Sequence, residues 1–157
     1  MSRPRILCIS LSPIHRDARV LRQLSVLAEF GDVTTVGYGE APPGVLRHIR
    51  VPDDRPSLPQ TPLGVLKLGL RLHGAAEFAA PGTAYARAQL SGERFDLVVA
   101  NEARILALAF EVADGAPVWA DMHEWAPRSA RTCSPGRCSS RRSWFTCAAS
   151  TCRARRP

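Results

Sequence analysis

The chain has 157 residues and a formal charge of +7, which is enough length for one domain with a real core and too little for two linked domains of ordinary size. The charge is unevenly placed, since residues 1–127 hold all 14 acidic and 13 of the 21 basic residues while residues 128–157 hold eight Arg and no acid. The basic balance therefore belongs to the C-terminal segment and does not argue for a nucleic-acid or membrane partner of the body.

No charged and then apolar leader opens the chain, and no apolar stretch approaches the roughly 20 residues a spanning helix needs, so a cytoplasmic location with no membrane span is expected. Cys8 stands alone in an apolar run, whereas Cys133, Cys138, Cys147 and Cys152 all fall in the C-terminal segment.

In chain order, Arg5-Ile-Leu-Cys-Ile-Ser-Leu11 is nearly continuous and apolar, the pattern of a parallel strand buried on both faces. Asp17 is placed to cap a following helix in which Val20, Leu21, Leu24, Leu27 and Ala28 share a face, Arg19, Arg22 and Glu29 look away, and Gly31 supplies the stop. Residues 32–38 read as a second strand and residues 48–51 as a short third one beyond a Pro/Gly loop.

Four prolines in residues 52–62 predict an irregular loop. A helix over residues 63–73 follows, Pro81-Gly82 is expected to interrupt the chain, and another helix is predicted over residues 83–90. Residues 95–100 form a buried strand in this reading, residues 102–113 a helix and residues 117–121 a last strand. Strands alternating with helices predict an α/β, Rossmann-like, doubly wound parallel sheet in residues 1–127.

In such a sheet, ligands bind beyond the carboxyl ends of the strands near the point where strand order reverses, because free helix N–H groups converge there. Three polar clusters fall at such ends: Ser12-Pro-Ile-His15-Arg16-Asp17, then Asn101-Glu102, then Asp121-Met-His123-Glu124. Neither a G-x-G-x-x-G nor a G-x-x-x-x-G-K-[ST] is present, which argues against a dinucleotide or P-loop nucleotide ligand.

The segment Ser12-Pro-Ile-His-Arg-Asp-Ala-Arg-Val-Leu-Arg22, the strand from Gly31-Asp-Val-Thr-Thr-Val36, and Ala120-Asp-Met-His-Glu-Trp-Ala-Pro127 together resemble the N-terminal domain of family-4-type GT-B glycosyltransferases. The resemblance implies transfer of a sugar from a nucleoside diphosphate sugar donor to an acceptor with retention of configuration. It implies no metal or other cofactor, and a cleft between two Rossmann-like domains of which the first mainly holds the acceptor. On that pattern His123 takes the catalytic position beside the donor sugar and phosphates, where an imidazole can donate to developing charge.

Ser12, His15, Arg16, Asp17, Arg19, Asn101, Glu102 and Glu124 are then the candidate substrate-binding residues. Arg16 and Arg19 could hold a phosphate or acidic acceptor by paired hydrogen bonds. Blander roles stand beside these: solvated charges for the two arginines, a helix cap for Asp17, a cap of the next helix for Asn101, and a structural tie for His123. The family's paired glutamates in an E-x7-E pattern have no counterpart here, so the partner expected is a C-terminal, donor-binding Rossmann-like domain, and the chain is expected to be inactive alone.

Residues 128–157 contain no Leu, Ile, Val or Met and show no periodicity, so disorder is expected there. Their composition suits a shifted reading frame of a GC-rich gene and a truncated enzyme. The spacing C-x4-C-x8-C-x4-C departs from the common zinc knuckle. A non-catalytic half-domain whose Cys/Arg tail binds zinc, nucleic acid or a partner is the alternative of a different class.

Overall fold

A computed structural model describes residues 2–58, 70 and 73–122. Five strands form one parallel sheet: β1 (Arg5–Pro13), β2 (Asp32–Tyr38), β3 (Arg47–Arg50), β4 (Leu97–Ala100) and β5 (Val118–Ala120). The described helices are α1 (Ala18–Phe30), α2 (His73–Phe78), α3 (Pro81–Leu90) and α4 (Leu106–Ala113). The sheet order is β3-β2-β1-β4-β5, so the chain steps outward from β1 in one direction and then crosses to its other side. This is the doubly wound Rossmann-like arrangement, and its reversal point lies between β1 and β4.

The strands at the centre read as continuous apolar runs because both of their faces are covered. Leu7, Ile9 and Leu11 of β1 pack with Val98 and Ala100 of β4 under Ala86 and Leu90 of α3 and Leu108 and Ala109 of α4. Ile6 and Cys8 point the other way, with Val33 and Val99, against Val20, Leu24 and Leu27 of α1. Each fully buried Leu, Ile or Val contributes on the order of 2 kcal/mol, so the alternation along β1 is what clamps the two helical layers to one sheet.

Asp17 caps α1 as its position predicts, its carboxylate accepting from the backbone N–H of Arg19 at 3.0 Å and of Val20 at 3.2 Å. Gly31 ends α1, and the reason is space. Its φ of −165° is ordinary extended backbone, but a Cβ there would stand 2.3 Å from the Pro4 carbonyl oxygen.

The interruption expected at Pro81-Gly82 falls just before it, at Ala79–Ala80 between α2 and α3. Pro81 starts α3, where a missing N–H costs nothing because the first turn has no intrahelical acceptor for it. Gly82 is needed because a Cβ would come within 2.5 Å of the Tyr38 hydroxyl. The β4 strand begins at Leu97, two residues later than its apolar run suggests, and α4 is preceded by a 3-10 turn over Ala103–Ile105. The helix expected over residues 63–73 and the segment 128–157 lie outside the described residues, except for Leu70 and for His73, which opens α2.

A register shift between Ile9 and Pro13 breaks the ladder of β1 with β2. Such a bulge bends the strand end and re-aims its side chains. Here the shift spans Ser10–Ser12, beside the sheet's reversal point.

Candidate functional site

At the carboxyl ends of β1, β4 and β5 the structure gathers two linked polar groups. The first centres on Arg19, in the opening turn of α1. Its Nη1 donates to Asn101 Oδ1 at 3.3 Å and forms an ion pair with the Asp121 carboxylate. Gln23, one turn further along α1, reaches the same Asp121 oxygen at 3.5 Å. Arg22 and Glu29 face solvent as the helical spacing predicts, but Arg19 does not. The start of α1 overhangs the ends of β4 and β5, where two acceptors await a guanidinium, and that attraction outweighs solvation of its charge.

Asn101 is fully buried and uses both ends of its amide. Its oxygen accepts from Arg19 and its nitrogen donates to the Cys8 sulfur at 3.2 Å. It makes no cap for the following helix. Burial pushes the Cys8 thiol up to about 12, against the lowering pull of the Asn101 hydrogen bond and the Arg19 charge. Cys8 is therefore a packed thiol and not a nucleophile.

The second group spans β1 and the β4–α4 loop. Ser10 and Ser12 hydroxyls lie 2.8 Å apart, and Ser10 lies 3.4 Å from Glu102 Oε1. The other Glu102 oxygen is paired with Arg104 Nε. The remaining Arg104 nitrogens donate to the Ser57 hydroxyl at 3.3 Å and to the Leu11 carbonyl at 3.2 Å, so one guanidinium ties three segments together. Ser10 is almost fully buried and Ser12 half-buried.

Of the residues singled out in the sequence, Ser12, Asp17, Arg19, Asn101 and Glu102 thus converge on one edge of the sheet. His15 and Arg16 stand apart from them. They line a separate pocket of about 330 Å³ on the β2 side, with Tyr38, Glu40, Arg50 and Asp53. The His15 ring lies over Gly39, where a Cβ would come within 2.3 Å of Nδ1. His123 and Glu124 lie outside the described residues.

No family model, characterised protein or solved structure matches this chain. The chemistry of the site is therefore read from its own geometry. Among the described residues no three His, Cys, Asp or Glu side chains gather closely enough to hold a metal ion, and no described helix is long and apolar enough to cross a membrane. What the edge does offer is hydroxyl, carboxylate and guanidinium groups held rigidly by one another, an arrangement suited to recognising a polar ligand by hydrogen bonds.

A hollow of about 650 Å³ lies at the opposite, amino-terminal end of the sheet between α3 and α4. Its Arg87 and Glu111 pair with each other at 2.6 Å, and Glu93 in its lining is paired with Arg5 and Arg47. Strand order makes the carboxyl edge the better site.

Ser10, Gln23 and Arg104 were not among the residues singled out by sequence. Ser10 had a legible signal, since a lone hydroxyl inside an apolar, doubly buried strand must find a partner. Arg104 had a weaker one, a cation two residues from Glu102 at the start of an otherwise apolar helix.

Proposed function

We propose that residues 1–127 form the acceptor-side wall of a retaining, family-4-type sugar-transferring enzyme that uses a nucleoside diphosphate sugar. The observation that carries this reading is the wall of Ser12, Ser10, Glu102 and Arg104 at the reversal point between β1 and β4. A sugar acceptor presents many hydroxyls at fixed angles, and a rigid set of hydroxyl and carboxylate groups can match them without reorganising. The end of β1 carries Ser12 and Pro13, and Ile14-His15-Arg16 follows it, where a pyrophosphate-binding turn needs glycines, which favours a sugar over a dinucleotide on this side.

In this reading an acceptor oxygen attacks the anomeric carbon as the bond from that carbon to the nucleotide's phosphate breaks. The acceptor's proton passes to the departing phosphate oxygen, and the nucleoside diphosphate leaves. The residues described here hold and orient the acceptor, and a second, donor-holding domain closes the cleft. The His123 position, two residues beyond the Asp121 anchor, is the candidate for stabilising the departing phosphate charge.

Saturation-transfer NMR on the 157-residue chain, with methyl hexopyranosides, UDP-glucose and NAD as probes, tests the reading together with an assay for UDP-glucose turnover. Contact with the glycosides and no turnover by this chain alone are the expected results. Binding of NAD in place of the glycosides overturns the sugar-transfer reading, and robust turnover by the isolated chain overturns the claim that one wall is insufficient.

A further inference from the structure

The two serines and Glu102 form a chain whose direction is fixed by chemistry. Glu102, in an ion pair with Arg104, is a carboxylate, which can only accept hydrogen bonds. Ser10 therefore spends its single proton on Glu102 Oε1, 3.4 Å away. With that proton committed, Ser10 can only accept from Ser12, 2.8 Å away, so Ser12 must donate. Ser12 is then left with lone pairs and no free proton.

From this geometry we infer that Ser12 is a specificity-determining residue that accepts a hydrogen bond from the ligand, and that Ser10, Glu102 and Arg104 are positioning residues acting through it. The inference rests on the sugar-transfer reading for the identity of the ligand, an acceptor hydroxyl, but the polarity of the chain does not. It changes the role of Glu102. With a side chain only 12% exposed and its oxygens directed at Arg104 and Ser10, the carboxylate sets the direction of the Ser12 hydroxyl and leaves contact with the ligand to Ser12.

Arg104 has a double part. It holds one Glu102 oxygen in an ion pair, and through the Leu11 carbonyl and Ser57 it locks the bulged end of β1 against the loop after β3. A ligand group that can only accept, such as an ether oxygen, finds no proton at Ser12. A group that donates, a hydroxyl or an ammonium, finds a pre-aligned acceptor. The wall thus discriminates a free hydroxyl from its ether by a hydrogen bond that the ether cannot make.

Two measurements test this separately. Neutron diffraction from deuterated protein is expected to place the Ser10 deuteron toward Glu102 Oε1 and the Ser12 deuteron toward Ser10 Oγ. The reverse direction overturns the inference and leaves the sugar-transfer reading standing. Saturation-transfer NMR then compares methyl hexopyranosides with their fully O-methylated ethers. The parent glycosides should give signal on the unaltered chain and lose it with Ser12→Ala, and the ethers should give none there. Glu102→Gln, whose amide can donate to Ser10 and invert the chain, should let the ethers give signal as well. Ethers that bind the unaltered chain as well as their parents overturn the inference. Parent glycosides that give no signal while the neutron result holds overturn the sugar-transfer reading and leave the hydroxyl chain in place. Spectra of both variants that keep the dispersion of the unaltered chain exclude unfolding as the cause.

Discussion

Arg19 and Asp121, 102 positions apart in the chain, form an ion pair that ties the first turn of α1 to the carboxyl end of β5. The pair does more than join two charges. Through Asn101, which Arg19 also holds, it fixes the end of β4 as well, so three elements meet at one guanidinium.

Both side chains of that pair are about 30% exposed (28% and 31%), so water screens their attraction and its strength is modest. A double-mutant cycle with Arg19→Gln and Asp121→Asn is expected to show a coupling of about 0.5–1 kcal/mol in urea unfolding. Additive single-mutant effects would mean that the two groups do not act as a pair.

Glu77 of α2 caps α4 from outside that helix. Its two oxygens accept from the N–H of Leu108 at 2.8 Å and of Ala107 at 3.2 Å. Replacement by Gln leaves only one acceptor and sets an NH2 against a backbone N–H, so Glu77→Gln should cost about 1 kcal/mol of stability at neutral pH. Equal unfolding midpoints for the two proteins would refute the cap.

The same residue makes stability depend on pH. Burial raises the Glu77 carboxyl above its usual 4.5, while the two N–H bonds oppose the rise. The folded state therefore binds this proton more tightly than the unfolded chain does. That contribution is fully present below pH 4.5 and is lost as pH rises through the folded value. Urea midpoints across pH 4 to 7 should show this loss in the native chain and a flatter profile in Glu77→Gln.

His48 works in the opposite sense. Its Nδ1 lies 2.8 Å from the Thr35 hydroxyl and its Nε2 3.3 Å from the Gly39 carbonyl, and burial lowers its pKa from 6.5 while the Gly39 bond pulls the other way. The unfolded chain holds the proton more tightly, so stability present above pH 6.5 declines as pH falls through the folded value. His48→Asn should remove that part of the acid slope. Two-dimensional NMR of the His48 ring reads the titration directly, and a midpoint above 6.5 would contradict it.

Cys8 should resist alkylation in the folded state. It is fully buried, and with its thiol at about 12 the thiolate is about one part in ten thousand at pH 8. Iodoacetamide labelling followed by peptide mapping should leave Cys8 unmodified until urea unfolds the domain. Rapid native labelling would show that the α1 layer opens readily.

Much of the body was legible locally. β1 and β2 could be read from their apolar runs, α1 from its spacing and cap, and β4 nearly so, because burial on two faces and helical periodicity are recorded within a few adjacent residues. The break near Pro81 was legible too, but the helix after it starts at Pro81 and not at residue 83. A proline is compatible with either a break or a first helical turn, and which applies depends on where the helix begins.

The sequence by itself determined the alternation of strands and helices, the capping of α1 by Asp17 and the presence of polar groups at strand ends. Only the tertiary structure decided which of those groups meet. Arg19 turns from solvent to the sheet because β4 and β5 lie on the far side of β1, and Ser10 finds Glu102, 92 positions away, because the sheet reverses between those strands. Strand order is settled by how whole layers pack, and so is the pairing of side chains that no local pattern records.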